Sequence, residues 1–541
     1  MAESKTMLDA KKQTREDVIR SINTATMKEE NKQKRLKLLF DLSIFHAEKL
    51  VGVHRKSYHL ANHLLVEMQK AGILFFNDSS QRYLFNPFSK TIIDIPLKHG
   101  TISKFWSFLH TLGVGLNEEI AKHLWAACAA LSDNRQLQAH RLSYYDKQNN
   151  TLYITNHDGT VWKLMGKDGI VRIPNGAEIF FMDDLSVVPC QPDIKNHNIF
   201  NAFVTDANFS SACEISPTSQ RFLLLSWFYA VMFPQLFRLK PIVLLDGDMG
   251  AGKTFTITRF QKILYGEEHA TTAPKDEESL AVSLLRTPIA LLDNLDSYIQ
   301  WLPNFIAAYT SGASYTGRKR FTDTGKNVIP ARSFLTVTSR DPKSFRRSDV
   351  ADRCLVFHFD RRENFTPTKV ENYLFANREK LLGEYLWTCN EIVKALTNPL
   401  ETASKYRTSE FANFCVLMAP IVGEKLKIAE VALAEAQTER LKLSVEEDFI
   451  VAYVEEWLRN PKNIGLPVTA RQLHKEFQSL IVLGHPYKIK SPITLGRAIN
   501  ALKDGFKTIG IDCTTAKDYT NTSVYSFLHI LDSTLTKDYT V

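Results

Sequence analysis

From Lys34 to Gly72 apolar residues return at helical spacing, first as Leu38, Leu39, Leu42, Ile44 and Phe45, then as Leu60, Leu64, Leu65 and Met68. The runs then shorten to Ile73–Phe76, Tyr83–Phe85 and Thr91–Ile95. Asn77-Asp78-Ser79-Ser80 and Asn86-Pro87 separate them, which predicts a small set of hairpins. Helical spacing resumes between Ile102 and Leu131. Between Leu142 and Val188 the period drops to two: Leu152-Tyr153-Ile154, a turn at His157-Asp158-Gly159-Thr160, then Val161-Trp162-Lys163-Leu164. Lys167-Asp168-Gly169 and Pro174-Asn175-Gly176 punctuate two further strands, so a β-rich module is expected here. The residues before about 35 are charged and weakly patterned, as in a frayed helix or tail.

From about 218 to 360 helical and strand patterns alternate, which argues for an α/β layer built on a parallel sheet. Residues 366 to about 460 read as helix. The last stretch reads as helices at Val445–Arg459, Val468–Leu480 and Ile493–Phe506, the last opened by Ser491-Pro492. Alternating runs at Thr508–Ala516 and Ser523–His529 then make a hairpin. Three helices and a β-hairpin are the winged-helix layout. The division expected is therefore 1–140, helical with a hairpin set; 141–205, β-rich; 206–440, α/β and then helical; and 441–541, winged helix.

Composition adds limits. The chain has 541 residues, 44% hydrophobic and 23% charged, which excludes wholesale disorder and fibrous repeats. Lys and Arg number 67 and Asp and Glu 59, a net charge of +8, which permits a polyanionic partner without requiring one. The 7 cysteines never form a CxxC, so neither a disulfide framework nor a zinc knuckle is legible and a reduced, cytoplasmic protein is expected. The first residues mix acids and bases and carry no apolar leader. Phe222–Phe237 is apolar but only 16 residues long and contains Pro234, short of the ~20 a bilayer span needs, so it is expected to be a buried helix.

The chemistry is densest just after it. The apolar strand Pro241–Asp246 runs into Gly247-Asp248-Met249-Gly250-Ala251-Gly252-Lys253-Thr254, a complete GxxxxGK[ST] pattern, and a helix with Ile257, Phe260 and Leu264 follows. Gly247, Gly250 and Gly252 let backbone N–H groups converge on phosphates, and the helix N-terminus adds positive potential. Lys253 is expected on the β and γ phosphates of ATP, and Thr254 on Mg²⁺. A second apolar strand, Ile289–Leu292, ends in Asp293, placed to hold the same Mg²⁺. Asn294 stands where a glutamate base is usual, which makes Asp296 the candidate base; capping of the following helix is the competing role for Asp296.

Downstream parts keep a recognisable order. Arg318-Lys319-Arg320-Phe321-Thr322-Asp323-Thr324-Gly325-Lys326-Asn327-Val328 reads as a hairpin with a basic tip; Ala331–Ser339 is a strand ending in polar groups; Arg346-Arg347-Ser348-Asp349-Val350-Ala351-Asp352-Arg353 leads into the strand Cys354–Phe359. With the P-loop and the Asp293-Asn294 pair, this series resembles the AAA+ ATPase core of MCM-like and superfamily III helicases. It is particularly similar to the primase-helicase ATPases of phages, plasmids and chromosomal islands. The likeness spans roughly 70 to 440 and is tightest from 241 to 360.

The resemblance implies an AAA+ core with a helical lid over 206–440. It places Ser339, or Thr338 beside it, at sensor 1, where asparagine is usual; Arg353 at the arginine finger; and Arg407 at sensor 2 of the lid. Arg318, Arg320 and Lys326 fall on the hairpin that grips single-stranded DNA in a ring pore, with Gly325 as its turn and Lys326 at its tip. A finger implies a homo-oligomeric ring, six subunits by the family's habit. Arg497 and Lys503, with Lys488, Lys490 and Lys507, could meet phosphates of duplex DNA at the winged helix, unless that module serves protein contacts only. The function expected is an ATP-dependent DNA helicase or translocase replicating a mobile genetic element, with no membrane role. No primase signature is legible, so priming would fall to a separate primase or polymerase. An initiator or loader that remodels DNA without processive unwinding, and a slow nucleotide-switched defence or interaction ATPase, are the alternatives.

Overall fold

The computed structural model describes residues 56–530 except 79–80, 102, 117, 183–186, 267–274, 313–314, 319–325, 330–332, 364, 398–405, 446–448, 483–484, 488 and 520. The tail and the start of the first helical run fall outside the described residues.

The first unit packs helices on a small antiparallel sheet. Helix α1 (Lys56–Lys70) buries Leu60, Leu64 and Met68. Strands β1 (Leu74–Asp78), β2 (Gln81–Asn86) and β3 (Thr91–Ile95) pair in that order. Helices α2 (Lys104–Thr111) and α3 (Glu119–Asp133) complete a core around Leu84, Ile93, Phe105 and Leu124. The β-rich module follows. Its strand β4 (Ala139–His140) starts just before the expected boundary at 141, because it pairs with β9 (Phe180–Phe181). Between them β5 (Ser143–Asp146), β6 (Thr151–Thr155), β7 (Thr160–Leu164) and β8 (Ile170–Pro174) form an antiparallel meander.

After the short helix α4 (Phe200–Val204), the apolar stretch becomes α5 (Pro217–Ala230), opened by a Ser216 cap and buried around Trp227 and Phe228. It stops at Ala230, ahead of the turn at Pro234, and no described helix is long and apolar enough to cross a membrane.

The centre is a parallel sheet of β10 (Ile242–Gly247), β11 (Ile289–Leu292), β14 (Phe334–Ser339) and β15 (Cys354–Phe359), in the order β11-β14-β10-β15. Both faces are covered, so the strands read as mainly apolar runs rather than as a strict alternation. On β10, Val243 and Leu245 point into the core shared with α5, α6 (Lys253–Tyr265) and α10 (Pro367–Ala395). Ile242 and Leu244 point the other way, to α7 (Glu277–Arg286) and α8 (Leu302–Thr310). An antiparallel ribbon of β12 (Tyr315–Arg318) and β13 (Lys326–Ile329) leaves the layer between α8 and β14. Helix α9 (Ser348–Ala351) precedes β15. Helices α11 (Ser409–Ile421) and α12 (Leu426–Val445) pack beside α5, and α12 runs through the boundary expected at 440.

The last unit contains α13 (Phe449–Leu458), β16 (Val468–Thr469), α14 (Ala470–Gln478), the pair β17 (Ile481–Val482) and β18 (His485–Pro486), and α15 (Pro492–Thr508). Strands β19 (Ile511–Lys517) and β20 (Ser523–His529) form a hairpin that β16 extends to three strands. The sequence pattern suggested a helix from Val445; α13 is described from Phe449, and 446–448 lie outside the described residues.

Candidate phosphate-binding site

The carboxyl edge of the parallel sheet brings the chemistry together. Gly247 ends β10 at φ 141°, and a Cβ there would sit 2.3 Å from the Phe359 carbonyl oxygen of the neighbouring strand. Only glycine lets β10 and β15 stay paired at that point. Gly252 takes φ 89° and caps α6 without a side chain, so no side-chain acceptor covers the first N–H groups of that helix. Lys253 follows and is 7% exposed. Its Nζ donates to the Gly247 carbonyl and, at 2.9 Å, to that of Asp248. Burial holds its pKa below the ordinary lysine value, partly opposed by the Asp246 carboxylate.

Thr254 Oγ1 donates to Asp293 Oδ1 at 2.7 Å, and Thr338 Oγ1 donates to the same oxygen at 2.5 Å. The Asn294 N–H donates to Thr338 Oγ1 at 2.9 Å, and Asn294 itself turns back at φ 56°. Thr338 is thus the junction of the site. Ser339 is not, although it stands at the expected sensor position. It is 1% exposed, and its Oγ lies 2.8 Å from the Leu295 carbonyl oxygen and 3.2 Å from Asp296 Oδ1. The reason is strand alternation: adjacent residues of β14 point to opposite sides, and Thr338 has the side that meets Asp293.

Asp296 neither caps a helix nor presents an open oxygen. Its Oδ1 accepts the Arg340 N–H at 2.8 Å and its Oδ2 accepts Arg340 Nε at 2.7 Å. Burial would raise its pKa, but these bonds and the Arg340 charge win and hold the carboxyl below the usual carboxylate range. That geometry makes it an anchor for Arg340, a poor arrangement for a base. Arg340 escaped the sequence reading; it is 57% exposed at the end of β14, within electrostatic reach of Lys253. Its only sequence signal is a basic residue directly after a strand end.

The two remaining arginines lie elsewhere. Arg353 precedes β15, and its carbonyl accepts the Ile242 N–H, so it sits at the amino edge of the sheet. It is 5% exposed. The guanidinium donates to Asp349 O at 2.8 Å, Thr310 Oγ1 at 3.0 Å, Ser311 Oγ at 2.6 Å and the Ala307 carbonyl, closing the C-terminus of α8. A side chain so enclosed does not project toward a neighbour. Arg407 stands in the turn before α11, and its Nη1 donates to Asp352 Oδ2 at 3.2 Å, again at the amino edge. The length of β10 puts that edge roughly 16 Å from the glycine loop. Arg407 therefore cannot serve as a sensor for the loop of its own chain, as the lid position suggested.

On the ribbon, Arg318 pairs with Lys326 across the strands, so Lys326 opens β13 and is not the tip. The tip lies in 319–325, with Arg320 and Gly325, outside the described residues. On α15, Leu495, Ile499, Leu502 and Phe506 face inward. Arg497, Asp504 and Lys507 line the exposed stripe, with half-buried Lys503 at its flank.

Behind the glycine loop lies a cluster the sequence hid. His358 on β15 shares Nδ1 with Asp246 Oδ2 at 3.1 Å and Nε2 with Glu439 Oε1 at 2.8 Å. Burial would lower its pKa, but the bonds to Asp246 and Glu439 prevail and lift it to about 9. Cys213, His358 and Glu439 offer ligand atoms within 4.8 Å of one another. Because both imidazole nitrogens already meet carboxylates, the cluster is an ion bridge from α12 to the root of the loop.

No curated protein matches. Two solved structures of the apo C-terminal region of NrS-1 are similar. One is 12% identical, covers 85% of this chain and 98% of that one, and has a TM-score of 0.37. The other is 10% identical, covers 84% and 95%, and has a TM-score of 0.37. The central stretch has a more specific counterpart: residues 206–434, which carry the parallel sheet, the glycine loop and most of the packed helices, match the family model of the actinomycete integrative conjugative element replication protein.

Proposed function

We propose that this chain is an AAA+ P-loop ATPase that assembles into a ring, probes and moves along single-stranded DNA, and unwinds duplex DNA in the replication of a mobile genetic element. The observation that carries this reading is the convergence of Lys253, Thr254, Asp293 and Thr338 at the carboxyl edge of a parallel sheet, where α/β folds bind their ligands. The family-model match over 206–434 supports the replication setting.

The donor set fits Mg²⁺. Thr254 and Asp293 offer hard oxygens 2.7 Å apart, near the spacing of adjacent ligands on an ion that takes oxygens at about 2.0–2.1 Å. Thr254 and Asp293 would hold it, and it would supply neutralisation of phosphate charge. Lys253 exchanges its bonds to the Gly247 and Asp248 carbonyls for phosphate oxygens. Thr338 holds the Asp293 carboxylate in one orientation and fixes the turn at Asn294. Arg340, anchored by Asp296, supplies positive charge beside the lysine. The arginine that a ring would lend to a neighbour is better sought at exposed Arg407 on the amino edge than at enclosed Arg353. Six subunits, a separate primase or polymerase, and duplex contact by Arg497 and Lys507 on a winged helix complete the proposal.

One observation favours a slower machine. Asn294 follows Asp293, and both oxygens of Asp296 are engaged, so a nucleotide-switched ATPase is the second reading. One experiment separates them: Mg²⁺-dependent ATP hydrolysis, with and without single-stranded DNA, alongside strand displacement on a forked duplex. DNA-stimulated hydrolysis and displacement that Lys253→Ala and Asp293→Asn abolish are expected. ATP binding with turnover unaffected by DNA supports the switch, and no ATP binding by wild-type protein overturns both.

A further inference from the structure

At the carboxyl edge of the sheet, β14 lies between β11 and β10. Asp293 follows β11 and the glycine loop follows β10, so the residue that leaves β14 stands between them. That residue is Arg340. The register pairs Ser339 with Asp246, which sets Arg340 one step on, beside Gly247. Neighbouring strands are about 4.8 Å apart, within reach of an extended arginine side chain. The Gly247 carbonyl also holds Lys253 Nζ. Burial is the main influence on the Lys253 ammonium, but Asp296 and Arg340 both act on it, in opposite directions.

Asp296 holds this arginine unevenly. Residues 293–296 fold along the end of β14, where the Leu295 N–H donates to the Thr338 carbonyl at 3.0 Å. Asp296 Oδ1 is pinned to the strand by the Arg340 N–H at 2.8 Å and by Ser339 Oγ at 3.2 Å. Oδ2 alone holds the guanidinium, through Nε at 2.7 Å and Nη2 at 2.5 Å. Nη1 meets no acceptor among the described residues, and the side chain is more than half exposed. One half of the contact is therefore fixed to the strand, while the other is a solvent-open side-chain pair, weak enough to exchange.

We propose that Arg340 and Asp296 form a latch that reads the γ-phosphate: Asp296 holds the guanidinium when the terminal phosphate is absent, and the terminal phosphate of ATP takes it over. The latch rests on the reading that the glycine loop binds ATP, and deepens it by naming what tells ATP from ADP. A γ-phosphate offers several charged oxygens to the arginine fork, against the single carboxylate oxygen that Asp296 presents, so the guanidinium moves to it. ADP leaves that position empty, and Arg340 returns to Asp296. The bonds at Oδ1 keep Asp296 in place throughout, so the latch resets. A ligand shifts such an equilibrium only by its differential affinity for the two states, which makes the latch measurable as a preference for ATP over ADP.

The test uses the full chain with Mg²⁺. Displacement of a fluorescent ADP analogue gives affinities for ADP and for the non-hydrolysable β,γ-imido-ATP, in wild-type protein, Arg340→Gln and Asp296→Asn. Arg340→Gln should lose roughly tenfold or more in affinity for imido-ATP, the size of a charge-assisted bond, with ADP kept within about twofold. Asp296→Asn should move the other way. With the competing charge gone, imido-ATP should bind roughly three- to tenfold more tightly and ADP as before. Side chains that only hold the fold would weaken both nucleotides together, and that result in either variant overturns the proposal. So does an Asp296→Asn variant whose preference stays level or falls, because Asp296 would then present the arginine rather than withhold it. If Arg340→Gln lowers the melting temperature, Asp296→Asn alone decides. Wild-type protein that binds neither nucleotide overturns the ATP reading together with the latch, whereas binding of both with a preference that Arg340→Gln leaves unchanged overturns the latch only.

Discussion

Replacing His358 by glutamine tests the ion bridge behind the glycine loop. The imidazole is lifted to about 9 in the folded chain by Asp246 and Glu439, against an unfolded value of 6.5. Its side chain is 22% exposed, so solvent screens the bridge only in part. The gap between those two values corresponds to about 3 kcal/mol at most. Because the folded pKa is the higher one, that stability is fully present below about pH 6.5 and is lost as pH rises through about 9. At pH 7.5 roughly 2 kcal/mol should remain, and near pH 10 almost none. His358→Gln leaves two carboxylates facing each other without the proton that joins them. Thermal melts of both proteins should therefore differ by several degrees at pH 6, by less at pH 7.5, and converge near pH 10. Glu439 is part of the same titration, so its depressed pKa is not counted again. A melting difference independent of pH would show that His358 is packed as a neutral ring and refute the bridge. Since α12 carries Glu439 and β10 carries Asp246, the variant should also loosen nucleotide binding, which a fluorescent ATP analogue would report.

Thr338→Val should cut ATP turnover at least tenfold, whereas Ser339→Ala should cost stability of about 1 kcal/mol with turnover largely kept; equal losses of turnover would refute the placement of Thr338 as the junction. Arg353→Ala should destabilise the fold by about 2–4 kcal/mol in urea unfolding, because the acceptors at the end of α8 lose their buried donor. Mixed with Lys253→Ala protein it should restore no activity, and rescue would reinstate its action on a neighbouring subunit. Arg407→Ala should leave stability within about 1 kcal/mol, its pair with Asp352 being exposed, and lower turnover only in assembled protein. Lys326→Ala should spare basal hydrolysis while abolishing strand displacement on forked DNA, and wild-type displacement would remove the ribbon from the DNA path.

Local order was legible in the chain wherever one short stretch carries both pattern and chemistry. The run Pro241–Thr254 announces strand, glycine turn and helix because burial on both faces, positive backbone angles and a helix start each demand particular residues in sequence. The period-two runs from Leu152 to Leu164 mark their hairpin for the same reason. What lay beyond the sequence was the meeting of distant residues. Strand order β11-β14-β10-β15 sets Thr338 against Asp293 and turns Ser339 away, a choice of strand face that a neighbouring pair of polar residues cannot reveal. His358 reads as one polar residue in an apolar strand until the fold brings Asp246 and Glu439 to its two nitrogens. Arg353 and Arg407 look alike as basic residues after turns. The direction of the parallel strands alone puts both at the edge away from the glycine loop, and packing against the end of α8 encloses one and leaves the other exposed.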